Sequence, residues 1–347
     1  MTDIHIRVDG HAGRITLNRP DALNALTWDM CLAIEKALDA WARDDAVALI
    51  IIDGAGQKAF CAGGDIADIY AHAKAGDFDY ADRFWRDEYR MVAKLFNFPK
   101  PVVTFLNGFT MGGGVGVGCH GSHRIVCEDS VVSLPEARVG LVPDVGGSLL
   151  LARAPGRLGE YLGLTADRMQ AADAIHAGFA DYYIPAAAWP QLIETLCKTG
   201  DWNAVDAAAV PPAPGQLQQW QADIDDVFGG ETIGDIWRGM PDVLTPAMVH
   251  AQELLARTSP LVQRAALGMI RKVRTVDTIE AALIYEFRCT SRALEHGDFI
   301  EGIRATIIDR DNTPVWKFPT WEDVPGGEII RLQYPVKPPL DLTGSPT

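Results

Sequence analysis

The strongest constraint on the fold is the glycine-rich segment MGGGVGVG at residues 111–118. Glycine packs no side chain and loses more backbone entropy on folding than other residues, so five glycines in eight positions need a compensating role. Two roles fit the pattern: close approach of another backbone, or exposure of bare N–H groups to a ligand oxygen. Composition alone leaves both open.

A third interpretation of the segment, a dinucleotide-binding turn, fails on its context. GVGCHG at residues 116–121 fits the pattern G-x-G-x-x-G, and Glu136 follows twenty residues after Gly116. That pattern requires a strand that runs directly into the first glycine, whereas the preceding predicted strand ends near Leu106. The segment is therefore not predicted to bind a nucleotide.

The cysteines predict neither a disulfide framework nor a metal site. Four candidate ligands follow the glycines closely, namely Cys119, His120, His123 and Cys127. They lack the paired spacing that zinc sites use, so we predict no metal. All six cysteines are scattered without a C-x-x-C pair, which is typical of reduced thiols and predicts a cytoplasmic location.

Charge and hydrophobicity narrow the class of partner. The chain has 31 basic and 46 acidic residues, and a net charge of −15 argues against nucleic acid or an anionic membrane surface. Residues 1–10 do not resemble a signal peptide, and no apolar run reaches the length of a membrane span. We expect a small-molecule partner, and the sequence leaves a homo-oligomer open.

The order of predicted elements indicates an α/β fold. A hairpin at the N-terminus is followed by alternating strands, glycine-containing loops and amphipathic helices, which favours an α/β core over residues 1–203. An Ala/Pro-rich linker then opens a helical C-terminal region, residues 204–318. Residues 319–347 are rich in proline and are predicted to form an extended tail.

Two carboxylates lie in apolar, glycine-rich surroundings. Glu136 follows Pro135 at the end of a predicted strand, and Asp144 lies eight residues later in LVPDVGG. Desolvation raises the pKa of a carboxyl group and suits it to proton transfer. Each residue also has a structural interpretation: Glu136 in a first helical turn behind a proline, and Asp144 as a helix N-cap.

Glu88 lies on the apolar face of a predicted helix over residues 80–97. Phe84, Val92 and Leu95 share that face at helical spacing. A carboxylate there needs either a charged partner on a neighbouring helix or a ligand hydroxyl group.

A second glycine-containing loop, FCAGGD at residues 60–65, follows another predicted strand. Together the two loops can direct two backbone N–H groups at one oxygen, and each such donor stabilises an oxyanion by about 3 kcal/mol. With carboxylates nearby, this interpretation becomes stronger than close packing alone.

These motifs occur in the order typical of a known family. NRPDALNALT, KAFCAGGDI, NGFTMGGGVGVGCHG, LPEARVGLVPDVGG and DFIEGIRATIIDRDNTPVWK together resemble the crotonase (enoyl-CoA hydratase/isomerase) superfamily, over residues 4–318. The last motif is similar to the branch that hydrolyses 3-hydroxyisobutyryl-CoA. The resemblance implies a spiral of ββα units, a helical C-terminal region, an acyl-CoA substrate, no further cofactor and a place in valine breakdown.

The resemblance also implies roles for individual residues. Gly64 and Gly113 correspond to the two amides that hold the thioester carbonyl oxygen. Glu136 corresponds to the catalytic acid or base, and Asp144 to its partner in the hydrolase branch. Glu88 corresponds to the position that contacts the hydroxyl end of the substrate.

One departure separates two activities within this resemblance. Hydratases of the superfamily carry a first glutamate where this chain has Gly116, so the usual pair of glutamates is incomplete. We therefore predict hydrolysis of a short-chain 3-hydroxyacyl-CoA thioester, with enoyl-CoA hydration or isomerisation as the alternative. Two further departures, Asp21 in place of a basic residue and SPLVQR in place of SPTSLK at residues 259–264, lie outside the carbonyl site.

Overall fold

The chain begins with a β-hairpin in which Ile4 pairs with Leu17 and Asp9 pairs with Ala12. In the computed structural model, which describes residues 2–242 and 244–343, the turn is made by Gly10 with a φ of +57°. The strands of this described part, numbered along the chain, are β1 (Ile4–Asp9), β2 (Ala12–Leu17), β3 (Leu49–Gly54), β4 (Ala59–Cys61), β5 (Val102–Leu106), β6 (Phe109–Met111), β7 (His123–Val126), β8 (Val131–Ser133), β9 (Met169–Gln170) and β10 (Tyr182–Tyr183).

The strands form two sheets. The larger has the order β1-β2-β3-β5-β7-β10, and all its pairs are parallel except the initial hairpin. The smaller has the order β4-β6-β8-β9, with β4, β6 and β8 parallel. The sequence predicts two short strands joined by a turn at residues 128–130. The structure places these strands, β7 and β8, in different sheets.

The helices of the described residues fill the space between and around the sheets. They are α1 (Trp28–Trp41), α2 (Ile66–Lys74), α3 (Asp79–Phe96), α4 (Gly113–Gly118), α5 (Gly147–Arg153), α6 (Leu158–Thr165), α7 (Ala171–His176), α8 (Trp189–Thr199), α9 (Asn203–Ala208), α10 (Gln216–Phe228), α11 (Ile233–Gly239), α12 (Pro246–Leu255), α13 (Pro260–Val276), α14 (Ile279–His296), α15 (Phe299–Ile303) and α16 (Gly326–Gln333). Short 3₁₀ turns and one π-turn join the helices of this described part. The 3₁₀ turn Glu136–Val139 begins at a predicted site residue.

Sheets and helices together form the predicted spiral of ββα units. β3 and β4 lead to α2 and α3, β5 and β6 lead to α4, and β7 and β8 lead to α5. Each turn of the spiral gives one strand to each sheet, because β3, β5 and β7 are neighbours in one and β4, β6 and β8 in the other. This confirms the mixed α/β class and the ββα repeat.

The glycines of α4 allow its backbone to approach its neighbours. A Cβ atom on Gly114 would lie 2.3 Å from the carbonyl oxygen of Cys61, and one on Gly118 would lie 2.7 Å from Leu106. Close packing therefore accounts for part of the glycine run. Gly116 and Gly118 lie inside the helix, not at a strand-to-helix turn, which agrees with the rejection of a nucleotide fingerprint.

Most of the chain after residue 147 is helical, as predicted, but the last segment differs from the prediction. Part of the predicted linker is helical, as α9. The predicted extended tail contains α16, and its side chains Val324 and Leu332 are buried in the main core. Their burial explains the difference: proline-rich composition does not reveal which isolated apolar residues find a partner. Residues 344–347 of the predicted tail lie outside the described residues.

No helix in the part of the chain that the structure describes is long and apolar enough to cross a membrane.

Candidate active site

Three predicted site residues follow adjacent parallel strands of the smaller sheet. Gly64 comes after β4, Gly113 after β6 and Glu136 after β8. The carboxyl ends of parallel strands lie at one edge of a sheet, which is where α/β proteins place their ligands. The spiral thus brings together residues that are far apart in sequence.

The amides of Gly64 and Gly113 converge. A Cβ atom on Gly113 would lie 3.1 Å from the backbone nitrogen of Gly64. Within the described part of the chain, neither amide donates a hydrogen bond, because Gly113 is the first residue of α4 and Gly64 lies in a loop. Gly112, with a φ of +52°, turns the backbone into this arrangement. Two free donors side by side can bind a single oxygen atom.

The two amides border a partly open cavity of about 170 Å³. All five predicted site residues line it: Gly64, Glu88, Gly113, Glu136 and Asp144. The rest of the wall is mostly apolar, from Ile66, Ile69, Phe84, Trp85, Val139, Leu141, Val145, Phe299 and Ile307. The structure therefore places the predicted carboxylates and amides in one small cavity with a largely apolar wall.

Glu136 is the first residue of the 3₁₀ turn that follows Pro135, as its structural interpretation required. Its side chain is buried, and its Oε2 atom has no hydrogen-bond partner among the described residues. Burial, together with the nearby charge of Asp144, raises the pKa of Glu136 well above its ordinary value. Glu136 therefore lines the cavity with a carboxyl group that has one oxygen without a partner among the described residues.

Asp144 is not a helix cap, contrary to its structural interpretation. α5 begins at Gly147, and its cap residue Gly146 offers no side chain. Instead Asp144 Oδ2 accepts a hydrogen bond of 2.7 Å from the Tyr89 hydroxyl. Burial raises the pKa of Asp144 to about 7, although the bond from Tyr89 opposes the increase.

Glu88 is buried on α3 and reaches the amide pair. Its Oε1 atom lies 3.0 Å from the position of a Cβ on Gly113. Glu88 forms no ion pair with any residue that the structure describes, so the salt-bridge interpretation is wrong. Burial and the charge of Asp144 raise the pKa of Glu88 well above its ordinary value.

Three residues that hold Asp144 in place were not predicted. Tyr89 and Glu286 are fully buried, and His120, considered only as a metal ligand, donates from Nε2 to the carbonyl oxygen of Val145 over 2.9 Å. Glu286 accepts from the amides of Gly146 and Ser148 at 2.8 and 2.9 Å. The signal for Glu286 was available, because it interrupts an apolar helix face as Glu88 does.

The described residues form no metal-binding group beside the cavity, and they form a larger groove elsewhere. Among the described residues, no three His, Cys, Asp or Glu side chains form a group that could hold a metal ion. A larger groove of about 730 Å³ lies against the other face of the six-stranded sheet, near Arg14, Asp53 and Trp189. None of the predicted site residues lines this groove.

The spiral, with free amides and buried carboxyl groups at its strand ends, has the architecture of an α/β enzyme. Residues 12–332 match the family model described as enoyl-CoA hydratase/isomerase. The chain belongs to this family.

Curated relatives share about a third of their residues with the chain. 3-hydroxyisobutyryl-CoA hydrolase, mitochondrial, from Rattus norvegicus is 37% identical, over 91% of this chain and 84% of that protein. The protein of the same name from Gallus gallus is 34% identical, over 93% of this chain and 86% of that protein.

Two solved structures are similar over nearly their whole length. An enoyl-CoA hydratase from Rhodobacter sphaeroides 2.4.1 is 48% identical with a TM-score of 0.93, covering 98% of this chain and 100% of that one. A carnitinyl-CoA dehydratase from Mycobacterium thermoresistibile is 38% identical with a TM-score of 0.95, covering 99% and 100%. These similarities agree on the fold, whereas the names of the relatives divide between thioester hydrolysis and reactions at a carbon–carbon bond.

Proposed function

We propose that this protein hydrolyses a short-chain 3-hydroxyacyl-CoA thioester, similar to 3-hydroxyisobutyryl-CoA, to the free acid and coenzyme A. The relatives with that name support the reaction class. Gly64, Gly113, Glu136, Asp144 and Glu88 carry it, and no cofactor besides the substrate's own coenzyme A takes part.

The observation that carries the proposal is the packing around Gly116. A Cβ atom there would lie 2.8 Å from Val145 Cβ and 3.2 Å from Val92 Cγ2, so the position has no room for a side chain. A second glutamate therefore cannot occupy the place that the family resemblance gives it in hydratases. Asp144, on the neighbouring loop, supplies the second carboxylate of the cavity instead.

The chemistry follows from the positions of the groups. The amides of Gly64 and Gly113 bind the thioester carbonyl oxygen and stabilise the negative charge that develops on it. Glu136, with its unpartnered oxygen, acts at the carbonyl carbon, either by removing a proton from water or by direct attack that gives a mixed anhydride. Asp144 orients Glu136 and the attacking water, or supplies a proton to the departing thiolate.

Two features support a small hydroxylated acyl group. The cavity of about 170 Å³ is too small for a long chain, and its apolar wall suits a short branched one. Glu88 adds a buried carboxyl group beside the amides, where a hydroxyl group on the substrate would satisfy it.

The test is release of free thiol measured separately with 3-hydroxyisobutyryl-CoA and with crotonyl-CoA. We expect stoichiometric thiol from the first and no loss of enoyl absorbance with the second. Loss of enoyl absorbance without thiol release would favour enoyl-CoA hydration or isomerisation, the alternative that the two solved structures support.

A single turnover in ¹⁸O-labelled water tests the anhydride route. An acid product without label, with the label in Glu136, indicates that the new oxygen of the acid came from Glu136 through the anhydride. Labelled product in the first turnover means that water attacked the acyl carbon, and it excludes only an anhydride that water opens at the Glu136 carbonyl.

Other parts of the prediction remain proposals. A cytoplasmic location is one, because the curated relatives are named as mitochondrial proteins. A role in valine breakdown and assembly into a homo-oligomer are others.

A further inference from the structure

The turn that follows Asp144 has a strained backbone. Val145 has a φ of +53°, in the left-handed region, and Gly146 continues the turn at +79°. Of the residues that the structure describes, Val145 is the one β-branched residue with a positive φ. Such a conformation is unfavourable for a β-branched side chain, so other contacts must hold it in place.

Glu286 supplies most of those contacts. It is fully buried on α14, and its Oε2 atom accepts the amide of Gly146 over 2.8 Å. Its Oε1 atom accepts both the amide of Ser148, over 2.9 Å, and the Ser148 hydroxyl. His120 holds the preceding carbonyl oxygen, that of Val145, from the other side over 2.9 Å.

The same face of α14 also reaches the side chain of Asp144. Thr290 lies one helical turn after Glu286, and its Oγ1 atom is 3.4 Å from the Tyr89 hydroxyl. That hydroxyl in turn donates to Asp144 over 2.7 Å. α14 therefore fixes both the backbone after Asp144 and the donor to its carboxylate.

We propose that Glu286 is a positioning residue for the reaction: it holds the strained Val145–Gly146 turn so that the Asp144 carboxylate faces Glu136 in the cavity. The inference rests on the proposed function, because that function gives Asp144 a part in turnover. Glu286 does not line the cavity, so it acts through Asp144 and not on the substrate.

The substitution Glu286→Gln keeps the volume of the side chain and removes one of its two acceptor oxygens. The NH₂ group of the glutamine then faces a backbone N–H group, and the turn loses one of the hydrogen bonds that hold it in place. Misplacement of a catalytic group by about 1 Å can lower turnover by about 100-fold. We expect kcat to fall by about 10- to 100-fold, with KM changed by less than about threefold.

Glu160→Gln is the matched control. Glu160 is also a fully buried carboxylate, but it lies on α6, pairs with Arg274 and does not line the cavity. The substitution makes the same chemical change at a second buried carboxyl group. We expect the folded Glu160→Gln protein to keep its kcat within about twofold of wild type.

The decisive measurement is a double-mutant cycle with Asp144→Asn, in which thiol release is normalised to folded protein. If Glu286 acts through Asp144, adding Glu286→Gln to Asp144→Asn lowers kcat by less than about twofold more. An equal loss of kcat in both backgrounds would overturn the proposal, because it indicates general loosening of the structure.

Two further outcomes keep the inference separate from the proposed function. Asp144→Asn with wild-type kcat would remove Asp144 from the mechanism, and the proposed function would need revision first. A large effect of Asp144→Asn with none from Glu286→Gln would overturn the positioning role alone.

If Glu286→Gln fails to fold, Ser148→Ala removes only the hydroxyl donor to Glu286. A kcat lowered by about threefold supports the proposal and an unchanged one contradicts it.

Discussion

At the scale of single residues, the cavity brings together three carboxyl groups, whose negative charges repel one another when they are ionised. Glu88, Glu136 and Asp144 line it, and all three are buried. Burial raises the pKa of each carboxyl group, and the charge of Asp144 adds to the increase at Glu88 and Glu136. Groups of this kind are suited to moving protons, at a cost in stability.

Glu136→Gln removes the group proposed to act at the carbonyl carbon while preserving its shape. We expect kcat for thiol release to fall by at least about 1,000-fold, because the amide is neither a base nor a nucleophile. Circular dichroism and the thermal midpoint check that the protein is folded. Turnover within tenfold of wild type would exclude Glu136 from the reaction.

Asp144→Asn changes how stability depends on pH. The pKa of Asp144 is about 7 in the folded protein, above the roughly 3.9 of an unfolded chain. The folded state therefore loses stability as pH rises from about 4 to about 7, while the asparagine variant avoids that loss. The unfolding free energy of the variant relative to wild type should increase by about 2–3 kcal/mol between pH 5 and pH 8. Denaturant titrations at the two pH values measure it, and a difference independent of pH would contradict it.

At the scale of elements, α3 presents a different buried polar group to each neighbour. One side carries Glu88 to the cavity, and another carries Arg90 to Glu35 of α1, with contacts of 2.7 and 2.8 Å. Arg90 also contacts Asp87 over 2.7 Å. The ion pair fixes how α3 packs on α1, and so fixes the wall of the cavity that Glu88 belongs to.

Gly113→Ala tests the convergence of the two glycine loops. The new Cβ would lie 3.0 Å from Glu88 Oε1 and 3.1 Å from the Gly64 nitrogen, in the space proposed for the carbonyl oxygen. We expect kcat/KM to fall by at least about 100-fold, the typical effect of losing an oxyanion donor. The control Gly268→Ala places its Cβ 3.8 Å from Gln333, in ordinary contact on a helix, and should leave activity unchanged. Equal activity of the two variants would argue against the amide pair.

Arg90→Met separates packing from chemistry. Leaving Glu35 and Asp87 without this buried cation should lower the unfolding free energy by about 3–5 kcal/mol. Arg83→Met, at an exposed position of the same helix, should cost less than about 1 kcal/mol. Urea denaturation compares the two, and a similar small effect from both would mean that the buried pair contributes little.

At the scale of the whole molecule, the C-terminal helices complete the site that the spiral begins. Phe299 and Ile307 from this region close the cavity. The last described segment is bound to the core as well: Arg86 on α3 donates to the carbonyl oxygens of Pro338 and Pro339, each over 2.9 Å. The chain thus returns to the helix that carries Glu88.

A matched pair of substitutions in α16 tests whether the tail contributes to stability. Leu332 is 4% exposed and Ile330 on the same helix is 68% exposed. Leu332→Ala should lower the unfolding free energy by about 2–4 kcal/mol through lost burial and a cavity. Ile330→Ala should change it by less than about 0.5 kcal/mol. If both effects are small, the burial of Leu332 contributes little to the stability of the protein.

The sequence by itself predicted most of the elements and the five candidate residues that line the cavity, because both predictions depend on local patterns. Alternating strands, the glycine-rich loops and a carboxylate on the apolar face of α3 are visible without any structure. The family resemblance added the spiral and the roles of Gly64, Gly113 and Asp144. The convergence of the two loops was predicted without a physical reason for it: the amides of Gly64 and Gly113 are separated by forty-nine positions in sequence and meet because β4 and β6 are parallel neighbours.

Only the tertiary structure decided how the site is held. Glu286 lies 142 residues after Asp144, and nothing local to either residue indicates that α14 packs behind the turn at Val145. The positive φ of Val145 and the packing of α16 against the core likewise result from tertiary contacts. A local pattern can show that a residue is buried, but the partner that compensates its burial is set by contacts between distant parts of the chain.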